Sequence, residues 1–469
     1  MKISPLKKQD IQQKFIFCSE AQWEKAKPDY DKSVASFFEA KSGEVFITFE
    51  DDLPVFLIGT GDKTKTFQLQ QAASKFSREF RKKFKEVPTS INSGDFSQEE
   101  IQALVTGLLS GTYDYPFRKE HPFFNKNFEL IIDTDTSHLK ELKLRANSIC
   151  EGQFACMEWL NKPQNFKRVD HISAFLKDTA EKYQLKLTVL DRKKSEKAGL
   201  GAFLSVNQGS SQEAAFTVLE YNCGRKNAKT VGLVGKCVLF DTGGISIKPS
   251  DNMHYMKSDM GGATAVIGTL IAAAEMKIPV NITAVLPITD NAVSNTAYIP
   301  SDVITAYNGK TIEVLNTDAE GRMTLADGLS YLAKNYKTDA MIDLATLTGS
   351  SVRMFGNTCG ALFSNDEKLT VLLQESGDRT NERLWNMPLW DVWKEEFSSD
   401  VADFKNISLK PVGDCIVAAK FLEQFIEGHQ SWAHLDIAGV AFGNTQYSKE
   451  KAATGYGVQL LIDFLENFS

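Results

Sequence analysis

Val231–Gly244 reads VGLVGKCVLFDTGG, an apolar run that carries one lysine, Lys236, and stops at Asp241. Its Val- and Leu-rich stretch, closed by two glycines, predicts a buried strand over 231–240. Helix and strand patterns alternate on either side. Upstream, His171–Tyr183 reads as a helix and Leu185–Leu190 as a strand. Downstream come a small-residue helix, Gly261–Met276, and apolar strands at Asn281–Pro287 and Thr311–Leu315. A loop, a helix through Asp327–Lys334 and a strand at Ala340–Ala345 follow. This alternation predicts an α/β fold with a mostly parallel central sheet flanked by helices. Ligand sites in such sheets lie at the carboxyl ends of the strands, where the unusual polar residues of this chain fall.

The first part of the chain reads differently. Glu44–Glu50 and Leu53–Ile58 are strand-like, and Thr64–Lys85 is an amphipathic helix with Phe76, Phe80 and Phe84 on one stripe. Its other face carries Lys75, Arg78, Arg81, Lys82, Lys83 and Lys85. The expected organisation is an N-terminal α/β domain over 1–138, a connecting helix over 139–164 and a catalytic α/β domain over 165–469. The 53 basic and 60 acidic residues give a net charge of −7, so the chain has no general attraction for nucleic acid or an anionic membrane. The seven cysteines are scattered without a CxxC pair, which fits a reducing compartment. MKISPLKKQDIQQKF lacks the apolar core of a signal peptide, and no apolar run is long enough to span a bilayer. The expectation is a cytoplasmic protein.

Three segments carry the chemistry: Gly235–Ser250 (GKCVLFDTGGISIKPS), Met256–Gly262 (MKSDMGG) and Asn316–Arg322 (NTDAEGR). Asp241, Asp259, Asp318 and Glu320 are expected at strand ends or adjoining loops of one sheet. An isolated aspartate after a strand is ordinarily a cap or turn residue. Four converging carboxylates, however, repel in a partly desolvated site, and divalent ions such as Mg, Mn or Zn relieve that repulsion. Asp318 and Glu320, two apart in an extended loop, would face one side. Lys248 and Arg322 would then lie beside the metals, able to stabilise an oxyanion. The six histidines form no HExxH, and His434 reads as a core group.

In order and spacing these segments resemble the signatures of the leucyl aminopeptidase family, the M17 metallopeptidases. NTDAEGR is the most distinctive, and FDTGGISIKPS (240–250) and MKSDMGGA (256–263) are the other two. The likeness continues through Asp343–Gly349 and His434–Gly439, with a weak echo at Gly107–Tyr113. It implies a metal-dependent aminopeptidase with two divalent ions per subunit. Lys236, Asp241, Asp259 and Glu320 would hold one ion. Asp241, Asp318, Glu320 and the Asp318 carbonyl would hold the other. Lys248 would polarise the scissile carbonyl, and Arg322 would anchor a bicarbonate-like anion that shuttles a proton. The substrate's free α-amine would bind a metal. Lys248, Met256, Asn316, Thr346, Leu347, Gly349 and Ala438 match positions around the substrate. The resemblance also implies a homohexamer acting on peptides with apolar N-terminal residues.

This sequence departs from the family pattern at Cys237 and Ser301, and at Gly413–Ile416 (GDCI), where small residues are usual. Two rival readings rest on less. A Ser246–Lys248 pair suggests a serine hydrolase, without a GxSxG elbow. The basic face of 75–85 suggests a nucleic-acid-binding or scaffold protein on a peptidase fold.

Overall fold

The computed structural model describes residues 2–5, 11–62, 65–80, 87–115, 129–132, 136–410 and 413–468. The chain forms two compact units, Met1–Cys150 and Glu151–Ser469. The division falls inside one long helix, Thr136–Asn161.

In the first unit six strands, β1 (Lys2–Pro5), β2 (Gln13–Ser19), β3 (Val45–Glu50), β4 (Leu53–Gly61), β5 (Thr89–Ile91) and β6 (Glu129–Ile132), form a sheet in the order β1-β6-β5-β2-β4-β3. All neighbours are parallel except the β3–β4 hairpin. Helix α1 (Thr66–Phe80) packs Phe76 edge-on against Phe15, Phe17 and Phe56, with centroids 4.9, 6.0 and 5.8 Å away. One residue of its expected basic face is drawn in. The Arg78 side chain is only 9% exposed and lies beside Asp114, with Nη1 to Oδ2 at 3.8 Å. Arg81, Lys82, Lys83, Phe84 and Lys85 lie outside the described residues.

The second unit is built on a nine-stranded sheet: β7 (Lys186–Leu190), β8 (Ala215–Tyr221), β9 (Thr230–Gly235), β10 (Cys237–Asp241), β11 (Asn281–Asn291), β14 (Ala340–Ala345), β15 (Gly360–Ser364), β16 (Leu384–Asn386) and β18 (Trp432–Asp436). A separate small sheet joins β12 (Val303–Thr305), β13 (Thr311–Glu313) and β17 (Phe404–Lys405). The central order β18-β14-β9-β11 is parallel throughout, and β10 extends alongside β11. Helices cover this sheet, and Phe203, Phe216, Leu329 and Trp432 belong to one buried cluster packed against it.

Three expectations change here. The strand expected over 231–240 is two strands broken at Lys236. The Lys236 amide still donates to Leu344 O at 3.0 Å, but its carbonyl leaves the ladder to accept from Ala263 N at 3.0 Å. That bond ties the first turn of helix α2 (Gly261–Met276) to the break between β9 and β10. A Cβ at Gly262 would come within 1.8 Å of Leu344 O, so only glycine permits the approach.

Second, the strand before NTDAEGR belongs to the small sheet, so the acidic residues do not share one sheet. Third, helix α3 begins at Glu320 rather than near Asp327 (Glu320–Asn335). Gly321 and Gly328 read as breakers, yet Glu320–Ser330 is buried throughout, and packing overrides intrinsic propensity. Glu320 and Arg322 therefore sit on a helical first turn, not in an extended loop.

Ser301, one of the positions where the resemblance leads to an expectation of glycine, takes φ +86°, in the region that favours glycine. No helix among the described residues is long and apolar enough to cross a membrane.

Candidate active site

Asp241 ends β10, Asp259 follows a short 3-10 turn (Met253–Ser258) and Glu320 opens α3. Carboxylate oxygens of these three buried residues all lie within 4.8 Å of one another. Positive φ at Gly243 (+86°) and Gly244 (+65°) turns the chain sharply after Asp241. The turn lets Gly243 N donate back to Asp241 Oδ1 at 2.9 Å and brings Lys248 back to the cluster.

Two lysines answer the carboxylates. Buried Lys236 Nζ lies 2.8 Å from each Asp259 oxygen and from Glu320 Oε1, and donates to Thr346 O at 2.9 Å. Lys248 Nζ lies 2.7 Å from Asp241 Oδ2 and also contacts Asp318 Oδ1. Asp318, one-third exposed, thus stands next to the three-carboxylate group across Lys248. Four carboxylates face two ammonium groups, so the cluster is short of positive charge. Burial, reinforced by the charge of Glu320, pushes Asp241 up to about 7 against the pull of Lys248 and Lys236. Burial likewise holds Asp259 well above the carboxylate range. Burial also opposes ionisation of Glu320, but Lys236 and Lys248 outweigh it and hold this carboxyl low. Both lysines are held above their ordinary value: burial opposes their charge, and the surrounding carboxylates prevail.

A divalent ion fits this donor set. Buried Asp259 Oδ2 and Glu320 Oε1 have a lysine nearby but no aligned hydrogen bond. Such atoms are costly in a fold unless something else satisfies them. Carboxylate oxygens with one amine suit Mn, Zn or Mg.

The catalytic-domain model of the cytosol aminopeptidase family matches residues 154–462. The chain belongs to the cytosol aminopeptidase family. It is 37% identical over 466 residues to a probable cytosol aminopeptidase of Chlorobium limicola, covering 94% of this chain and 92% of that one. A counterpart from Chloroherpeton thalassium is 38% identical over 443 residues, covering 88% and 86%. The bottromycin maturation enzyme BotP in complex with Mn superposes with a TM-score of 0.86 at 27% identity, covering 97% of this chain and 99% of that one. The protein is therefore a peptidase of the aminopeptidase type, and its substrates are peptides.

Within this aminopeptidase, several expected substrate-side residues are tied to the cluster. Thr346 Oγ1 donates to Asp259 Oδ1 at 2.8 Å, and Asn316 Oδ1 accepts from Asp318 N at 2.8 Å. The Met256 carbonyl accepts from Asp259 N at 3.3 Å. Leu347 N and Ala438 N both donate to Asp436 Oδ1, at 3.2 and 3.1 Å. Gly349 opens the helix Gly349–Phe355. Arg322 turns to Asn406 O at 2.8 Å and to Asp414 Oδ1 at 3.3 Å. His434 is fully buried in the core, with Nδ1 2.5 Å from Asp343 Oδ1. Ser246 and Lys248 do not act as a pair: Ser246 Oγ accepts from Thr317 N at 3.2 Å, and Lys248 is drawn to the carboxylates.

The sequence reading missed the supporting residues. Asn291 Nδ2 donates both to Asp241 Oδ1 at 2.8 Å and to Thr317 O at 3.0 Å. Tyr298 OH donates to the same carbonyl at 2.9 Å. Asn406 accepts from Leu315 N and donates to Asn316 O, pinning the approach to Asp318. The polar pair Asp290–Asn291 closing an apolar strand was the one available signal. Asn406 and Tyr298 have none.

Proposed function

We propose that this protein is a cytoplasmic metal-dependent aminopeptidase that releases apolar N-terminal residues such as leucine from peptides. The observation that carries the reading is the buried group Asp241, Asp259 and Glu320, with Lys236 inside it and Asp318 beside it across Lys248. Lys236, Asp241, Asp259 and Glu320 would hold one divalent ion; Asp241, Glu320 and Asp318, with the Asp318 carbonyl, would hold the other. Zn or Mn is the proposed metal, with Mg as a further candidate. When bound, the ions would supply the charge that polarises the scissile carbonyl and lowers the pKa of a water. As a metal ligand, Lys236 would be neutral, its proton displaced by the metal charge.

Lys248, partly exposed and anchored by Asp241 and Asp318, is the group that donates to the carbonyl oxygen as negative charge develops there. Arg322 is the anion-holding group beside this cluster, where the resemblance implies a bicarbonate-like proton carrier. Asn316, Met256, Thr346, Leu347, Gly349 and Ala438 line the substrate side. The relatives' names support the cytoplasmic address, and a homohexamer is the proposed assembly.

The test is hydrolysis of a leucyl chromogenic amide. Activity should vanish with a chelator and return with Mn or Zn, and an N-acetylated substrate should not turn over. Chelator-insensitive hydrolysis, or rapid internal cleavage of an acetylated peptide, would overturn the reading.

A further inference from the structure

Arg322 is 4% exposed, and its guanidinium has three outward-facing nitrogens to satisfy. Nη1 donates to Asn406 O, while Nε has no hydrogen-bond partner. Nη2 donates to Asp414 Oδ1 at 3.3 Å, a salt bridge to a carboxylate of the chain itself. A buried guanidinium without an anion is strongly unfavourable, and its fork is shaped for a carboxylate.

Asp414 is placed for the role by its backbone. Gly413 takes φ +67°, and Asp414 opens the helix α4 (Asp414–Leu422). Its side chain is 42% exposed, so this carboxylate meets both solvent and the buried arginine. Its second oxygen accepts from Ser350 Oγ at 3.4 Å. Ser350 Oγ also lies 3.2 Å from Thr348 Oγ1, which donates to Asp436 Oδ2 at 2.6 Å. Asp436 in turn holds the amides of Leu347 and Ala438. One carboxylate thus joins the first turn of α3, which carries Glu320, to the loop whose Thr346 carbonyl holds Lys236.

We infer that Asp414 is the resident anion of Arg322: a carboxylate of the chain itself takes the guanidinium contact that a small anion from solution would otherwise make. This rests on the proposed role of Arg322 as the anion-holding group. Asp414 is then a positioning residue. It fixes Arg322 and the 346–350 loop together, and it makes the enzyme indifferent to bicarbonate.

The experiment compares the wild type with Asp414→Gly and Asp414→Asn, adding sodium formate or sodium bicarbonate at constant ionic strength. Two readouts are taken: kcat on a leucyl chromogenic amide in the metal-loaded enzyme, and Tm of the metal-free protein. The wild type should respond to neither anion in either readout. Asp414→Gly should lose roughly ten- to hundredfold in kcat, regain it saturably with either anion, and show a saturable rise in Tm. Asp414→Asn, which fills the space without charge, should lose rate and gain nothing from either anion. Saturable stimulation or stabilisation of the wild type would overturn the inference, because Arg322 would then accept an external anion with Asp414 in place. So would an Asp414→Gly protein that ignores both anions. If the wild type hydrolyses no amide at all, the functional proposal fails, while the metal-free Tm comparison still decides whether Asp414 fills the subsite.

Discussion

Lys248 stands between Asp241 and Asp318, and this position makes two roles separable. As an oxyanion donor, it would contribute only in the transition state. As a counter-charge, it would matter for metal affinity. Lys248→Ala should therefore keep its metals yet lose about 3 kcal/mol of transition-state stabilisation, roughly a hundredfold in kcat. Turnover at saturating Mn, with metal content measured on the same sample, checks this; full recovery of rate with excess Mn would assign Lys248 to charge balance alone. Asn291 makes the complementary case. It holds Asp241 Oδ1 and the Thr317 carbonyl at once. Asn291→Ala should weaken metal binding by roughly ten- to hundredfold without removing a ligand. A metal titration that shows unchanged affinity would mean that the strand end alone orients Asp241. At this scale the sequence revealed the charged residues, because carboxylates after apolar strands are conspicuous. It did not reveal Asn291, Tyr298 or Asn406, because an amide or phenol becomes a support only through the partner it meets in space.

Helix α3 shows the same at the scale of an element. It carries Glu320 and Arg322 on its first turn and Asp327 farther along. Asp327 is fully buried and accepts from Phe203 N at 2.9 Å and Tyr307 N at 2.7 Å. Burial lifts its carboxyl to about 7 despite those donors. With the folded value above the unfolded one, near about 3.9, the folded state binds the proton more tightly. That contribution to stability is complete below about pH 4 and is lost as pH rises through about 7. Relative to Asp327→Asn, the wild type should therefore lose stability steadily across this window. Denaturant unfolding at a series of pH values measures the difference between the two proteins; a flat difference would show that burial does not control this carboxyl. The start of α3 was hidden in the sequence because Gly321 and Gly328 resemble breaks. The break between β9 and β10 was hidden because the apolar run itself continues through Lys236.

For the whole molecule, the proposed ligand set predicts two divalent ions per chain at full loading. Five side chains are too many for one tetrahedral ion and suit a bridged pair. Elemental analysis of the active enzyme should approach two; saturation at one with full activity would sink the two-ion reading. What the sequence determined by itself was the α/β class, the family and the residue types of the site. These follow from local periodicity and from short contiguous motifs, which survive without knowledge of the fold. Only the tertiary structure decided that the acidic residues come from a strand end, a 3-10 turn, a loop and a helix start, that Arg78 is drawn in beside Asp114, and that Asp414 meets Arg322. The reason is physical: Arg322 and Asp414 lie on separate helices, and their contact depends on where those helices pack. A linear pattern encodes which faces are apolar, but not which charges the packing will bring within reach of one another.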